Sequence, residues 1–424
     1  MKNSELKLKH LRGFNTIDVL LMFLFVFNLA FVFLPEILRT RVLIGFIGFF
    51  VFFRDQKSFI PRQLVNLILL ICLGLIIILL TTIFNNNLDP RFIGNSVQNV
   101  IYIFGAYYLV KRLNFDYLIL IKVLVIAIFA HNLLALIMFW NISLLDFFWS
   151  FQHTGGNFEN AFENTVEFGT RFIGLGIGSF FSGGMISSIG IILSAYLISV
   201  VPNKKKIWFF TFFFLAITSV FIARIAYLSI LISVLYLIYA YFKKGNIANL
   251  PKILFIIILL SLPVVLFIYF NLDSLLKLSS FNHAFELLIN VFSSGNLKTE
   301  STDVVKEMLI FPSELKTIII GDAKFYDDDG SFYMSTDVGY SRLLFYFGIP
   351  GTISYFLIQI YISYLILKVN VKGSLFNSII YLLLLLLFIG NIKGLLDFNW
   401  LMFLFFWIVV KNSYNFKNEA FSYN

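Results

Sequence analysis

Charge is what this chain has least of. Only 13% of its 424 residues are Asp, Glu, Lys or Arg, whereas 59% are hydrophobic. Soluble domains carry about 25% charged residues, and no water-soluble fold hides so large an apolar excess. The shortage excludes an ordinary soluble domain and makes lipid part of the solvent. Cysteine is nearly missing: Cys72 is alone, inside an apolar run. That excludes a disulfide framework and a thiolate metal site. The four histidines (His10, His131, His153 and His283) are scattered and form no zinc motif. Short alternating segments are also absent, which excludes a membrane β-barrel.

What is present is apolar and aromatic, with Phe alone supplying 54 residues. A membrane-crossing helix needs about 20 apolar residues. Twelve runs qualify or come close: 17–34, 40–53, 64–84, 97–110, 117–140, 172–200, 207–223, 225–242, 252–271, 341–367, 374–390 and 395–411. We therefore expect an all-α polytopic membrane protein with about 12 transmembrane helices, residues 1–424 forming one integral membrane domain. The first run is followed by Phe33-Leu34-Pro35-Glu36 rather than a small-residue cleavage site, so it reads as an uncleaved span. The seventh and eighth runs almost touch, which makes Arg224 the tip of a tight hairpin.

Lysine and arginine concentrate at the termini and in the even-numbered connections, which hold nineteen of the 32 basic residues. By the inner-face excess of basic residues, both termini should be cytoplasmic. The net charge of +9 then needs no nucleic-acid partner. Two segments are too polar to span and fall outside: a shorter loop at 141–170 and a large one at 272–340, the latter with eleven acids and five lysines. Loops this long in a compact protein are usually functional. The large loop should contain short helices. Asp303 is placed to cap one whose apolar face is Val304, Val305, Met308 and Leu309, and His283 to Phe292 suggest another.

The unusual residues gather on the outer side. Arg171 opens the sixth run, Arg224 sits at an outer hairpin, and Arg342 follows the large loop. A permanent charge at such positions is costly and marks a candidate site. Three guanidinium groups at one face suit a diphosphate, whose oxygens their planar forks match. Snorkelling to headgroups or pairing with loop acids is the plainer alternative for each. Asp337, where the loop re-enters the membrane, is a candidate general base or a partner for Arg342 or Arg224. Glu167 and His283 are the other base candidates. His131 with Asn132 reads as an interhelical hydrogen-bonding pair, and Asp397 as a partner of Lys393 one helical turn away. Asp327-Asp328-Asp329-Gly330 lacks calcium-loop spacing and reads as a solvated turn. The glycines from Gly174 to Gly184 lack the strand of a nucleotide fingerprint. They read as close packing or a broken helix whose N–H groups face an anion beside Arg171.

Three stretches resemble a known family. Arg171-Phe172-Ile173-Gly174 is similar to an arginine–glycine element opening a central span. Ser219 to Leu228 is similar to a serine–arginine element, although here Ala223 rather than serine precedes Arg224. Asp337-Val338-Gly339-Tyr340, followed by Phe347-Gly348-Ile349-Pro350-Gly351, is similar to the re-entry after a large outer loop. Together they resemble the O-antigen polymerases and ligases of bacterial polysaccharide assembly, the Wzy-type group. The resemblance implies a GT-C-like glycosyltransferase in the bacterial plasma (inner) membrane. Its donor and acceptor would be oligosaccharides on undecaprenyl pyrophosphate, with membrane lipid and a chain-length regulator protein as further partners. No cofactor or metal is implied. Arg224, Arg171, Asp337 and His283 would be catalytic, and Arg342, Glu167 and Tyr340 would bind substrate. A ligase of the same superfamily and a lipid-linked oligosaccharide flippase are the alternatives. A flippase, however, needs charge reachable from both sides, and the span interiors here are nearly charge-free, Lys122 being the main exception.

Overall fold

The computed structural model describes residues 13–55, 60–87, 89, 91–153, 171–245, 278–295, 299–327, 330–369 and 374–422. Fifteen α-helices are found there: α1 Thr16–Phe27, α2 Thr40–Asp55, α3 Arg62–Asn85, α4 Arg91–Arg112, α5 Tyr117–Trp140, α6 Ile142–Trp149, α7 Phe180–Val200, α8 Lys205–Ile222, α9 Ala226–Lys243, α10 Ser279–Ser294, α11 Glu300–Met308, α12 Leu315–Ile319, α13 Gly339–Val369, α14 Leu375–Gly390 and α15 Asn399–Ser422. Strand content among the described residues is limited to isolated bridges. Eleven of the twelve apolar runs contain a helix, and the ninth, 252–271, lies outside the described residues. Six helical stretches are long and apolar enough to cross a membrane: α3, α5, α7, 202–222, α9 and α13. Among the described residues the fold is all-helical, and these helices fit a helical membrane protein.

Three runs differ at one end from the expected spans. The first stops at Phe27, because Asn28 turns left-handed and its N–H closes on Leu24 O. Arg41 seals that end: its Nε and Nη2 donate to the carbonyls of Phe25 and Val26 at 2.6 and 2.7 Å. A cation at a helix C-terminus satisfies orphan carbonyls and the helix dipole together. The sixth run becomes helical only at Phe180, after an extended segment and a 3-10 turn at Gly176–Gly178. The last starts at Asn399. Lys393 and Asp397 therefore share no helix face and do not pair as expected. Asp303 also departs from expectation. Thr299 caps α11, and Asp303 lies inside the helix, 3.6 Å from Lys306.

Packing places α7 at the centre. Of its most apolar stretch 94% is buried, against 28% for α3, so α7 is the post and α3 faces the surroundings. The glycines and serines of α7 allow α5, α8, α9 and α14 to approach it. The tightest helix pair is α2 with α4, where Gly48 lies directly on the Phe104 carbonyl. At one end of this group Arg112 pairs with Asp18 at 2.8 Å, and Lys111 and Tyr107 both meet Asp55.

Candidate functional site: a charged cleft at the outer-loop end

The opposite end holds a cleft of about 440 Å³. One bank is the α1–α2 connection, with Asn28 and Arg39. Another is the end of α6, with Trp149 and Gln152. The floor is the start of α7 at Ser179 to Ser182, and Asp337 and Arg342 complete the wall. Short backbone links hold the first two banks together. Phe31 bridges Gln152, the His153 N–H donates to Ala30 O at 2.8 Å, and the His153 ring bonds Leu34 O. Gln152 accepts the Gly176 N–H at 2.7 Å, which fixes the glycine segment against the same bank.

The glycines are shaped by a histidine. Leu175 N–H donates to His131 Nε2 at 3.0 Å, and the ring stacks on Phe27 at 3.7 Å. A side chain at Gly174 or Gly178 would occupy the space of that ring. Asn132 extends the network, donating to Thr218 and accepting from Ser187, each at 3.0 Å. Buried amide and hydroxyl groups are thereby satisfied across α5, α7 and α8. The broken-helix expectation agrees with this geometry. Ser179 caps α7 without a side-chain bond, because its hydroxyl donates to Gly174 O.

Arg342 is held on three sides. Phe325 and Phe332 lie over its guanidinium at 4.0 and 3.9 Å, and Nη1 donates to Asp337 at 3.0 Å. Only 8% of its side chain is exposed, against 46% for Asp337. The rings flank a turn in which Asp327 N–H meets Ser331 O and Gly330 N–H meets Asp327 O, both at 2.9 Å. Arg91 stacks on Tyr326 of that turn at 3.7 Å. Desolvation raises the Asp337 carboxyl above the usual carboxylate range, and the neighbouring Arg342 and Lys393 only partly offset it.

Arg224 occupies the expected α8–α9 hairpin and pairs with Glu286 of α10. Tyr227 OH donates to Ala284 O at 2.9 Å, which docks α10 on the hairpin. Arg171 is half-buried beside it. The segment starting there is pinned to the end of α8, since Phe172 N–H donates to Phe221 O at 3.1 Å and the two rings stack. Burial and then the Arg224 charge pull the Arg171 pKa down, so the two arginines sense one another. Lys393 joins them. Burial and then Arg224 and Arg171 push its ammonium down to about 8, against the opposing pull of Asp337 and Glu286.

Arg171 and Arg224 are thus brought together, and Asp337 and Arg342 form an adjacent pair. Tyr340 is committed elsewhere: its OH donates to Phe388 O at 2.9 Å, and it does not line the cleft. His283 lies on α10, and its side chain is outside the described residues, as is Glu167 altogether. Sequence reasoning missed Lys393 as a site residue, because it assigned Lys393 to Asp397. The available signal was Asn391 and Gly394 interrupting the apolar runs around a lysine on the outer side. Glu286 was missed as one acid among eleven. No family model, no curated protein and no solved structure matches the chain.

Proposed function

We propose that the protein is a polysaccharide polymerase of the outer face of the bacterial plasma membrane. In this reading it transfers a growing glycan from undecaprenyl pyrophosphate to a lipid-linked repeat unit, on a GT-C-like arrangement of spans with cytoplasmic termini. What supports it is the mutual proximity of Arg171, Arg224 and Lys393, together with a cleft that these three do not line but that Asp337, Arg342 and Gly394, the neighbour of Lys393, do. In the reaction an acceptor hydroxyl attacks the anomeric carbon of the donor. The new glycosidic C–O bond forms as the bond to the diphosphate breaks. The electron pair leaves with the polyprenyl diphosphate, whose charge the arginines stabilise. Asp337 is exposed to the cleft and has a raised pKa, which suits it to receive the hydroxyl proton. The cleft provides polar and aromatic contacts (Asn28, Gln152 and Trp149) for positioning a sugar.

The test is the glycan profile of cells carrying Arg224→Ala. Long-chain polysaccharide should disappear and one repeat unit should remain on the surface lipid, with the protein still inserted. Arg224→Lys should be nearly as harmful, because a point charge does not replace a planar fork. Finished glycan stranded on its carrier would indicate a ligase instead, and unchanged chain length would remove Arg224 from the mechanism.

A further inference from the structure

We propose a second site: the cavity between α3, α4, α13 and the link before α15 binds a small monovalent cation, sodium, with Asp397 as its charged ligand. This site is independent of the polymerase reading and uses none of the residues assigned to that reaction.

The cavity measures about 50 Å³. A water needs about 10–15 Å³ of such space, so an ion with one or two waters fits and a sugar ring does not. Part of the wall is apolar, with Ile71 of α3 and Phe347 of α13. The polar part comes from three elements distant in sequence. Asn95, Ser96 and Asn99 belong to α4, Ser354 to α13, and Asp397 and Asn399 to the link and the first turn of α15.

What these groups offer is oxygen lone pairs. Ser96 OH donates to Phe92 O at 3.0 Å, and Ser354 OH donates to Gly351 O at 2.8 Å. Both hydroxyl protons are committed to their own helices, so toward the cavity each oxygen can only accept. Asp397 Oδ1 accepts the Asn399 N–H at 3.1 Å. Among the described residues no basic side chain forms an ion pair with that carboxylate. Arg41 lies over the Trp400 ring at 5.6 Å, but its Nε and Nη2 go to the carbonyls of Phe25 and Val26.

Asn399 is a second, independent sign. It is 3% exposed and lines the cavity, and its side-chain oxygen is buried with no hydrogen-bond partner among the described residues. A buried acceptor left unmet is costly, and a carboxylate taken out of water without a partner is costlier still. One cation answers both. Asn95 and Asn99 can turn their amide oxygens inward to complete its shell. Oxygen ligands select a hard cation, and a single carboxylate balances one positive charge. The same link carries Gly394 and Leu395 into the wall of the outer cleft, so an ion held at Asp397 also anchors that wall.

The test uses purified full-length protein in detergent. Equilibrium dialysis with radiosodium should show saturable binding of about one ion per chain. The melting temperature should be higher in sodium chloride than in equimolar choline chloride, by about 2 °C at tenfold the Kd. Asp397→Asn should lose both the binding and the shift. In choline chloride it should melt no lower than the wild type, because an unpaired buried charge has been removed. Ser354→Ala keeps the charge and removes one ligand oxygen. It should bind sodium about tenfold more weakly, with its melting in choline chloride little changed. Should Asp397→Asn fail to fold, Ser354→Ala alone decides. Equal melting in the two salts with no radiosodium bound would leave only water in the cavity and overturn the proposal. Sodium binding retained in full by these variants would place the ion elsewhere and overturn it equally. Neither result bears on the polymerase reading.

Discussion

A guanidinium and an ammonium answer differently to the same crowded neighbourhood. Burial and then the Arg224 charge lower the pKa of Arg171, and the same crowding pushes the Lys393 ammonium down to about 8. The consequence for stability has a definite sign. Lys393 sits at about 8 in the fold against 10.5 ordinarily, so between those values the unfolded chain holds more of the proton and stability rises with pH. Below about pH 8 the folded protein bears the full cost of the charged form. Lys393→Met should therefore melt higher than the wild type at pH 7, with the gap closing toward pH 10. Thermal melts in detergent across that range check it. Arg342 illustrates a second residue-scale effect. Its guanidinium lies against the rings of both Phe325 and Phe332, a contact for which a flat group is better suited than an ammonium. Arg342→Lys should loosen the 321–336 turn, read as faster proteolysis there, and should weaken Asp337 as a base. At this scale the arginines and Asp337 were legible in the sequence because they are costly charges at the ends of apolar runs. Their partners Glu286, Phe325 and Phe332 were not, because contacts across 60 or 10–20 residues leave no local pattern.

Helices were legible as apolar runs, but their ends were not. Hydropathy extends through 28–34, 172–179 and 395–398, whereas the helices stop or start inside those stretches. The cause in each case is tertiary: Arg41 seals α1, His131 holds the glycine segment extended, and Asn391 closes the turn before α15. The same three breaks leave non-helical backbone beside the cleft, where irregular chain is tolerated because it lines a cavity. Close approach matters at one further pair. Gly48 lies on the Phe104 carbonyl of α4, so Gly48→Leu would have to push two backbones apart. A loss of about 3 kcal/mol is expected from such overpacking. It should appear as a lower melting temperature and poor recovery of monodisperse protein, with the outer cleft residues untouched in sequence.

For the whole molecule, the alternation of basic connections gives an expected sidedness, and the pairing of Asp18 with Arg112 and of Asp55 with Lys111 shows only that these helix ends lie together. Which face is cytoplasmic is a question for labelling. In a Cys72→Ser background, Lys204→Cys should react with a membrane-impermeant maleimide only after the inner face is opened, and Lys316→Cys should react in intact cells whose outer barrier is permeabilised. The reverse pattern would invert the topology and place the charged cleft at the cytosol. The polar cleft was legible only in Asp337 and Arg342, because its other walls, with Asn28, Trp149, Gln152 and Ser179, come from distant segments whose residues look ordinary.

One contact described above bears on turnover. Arg224 is not an empty socket: the carboxylate of Glu286, carried by α10 of the outer loop, already sits there. On the proposed reading, an arriving diphosphate would have to swap places with a tethered anion, much as a solute displaces the counter-ion of an exchange resin. On the same reading, the carboxylate would be at hand to reclaim the seat when the spent carrier departs, a competitor that never diffuses away.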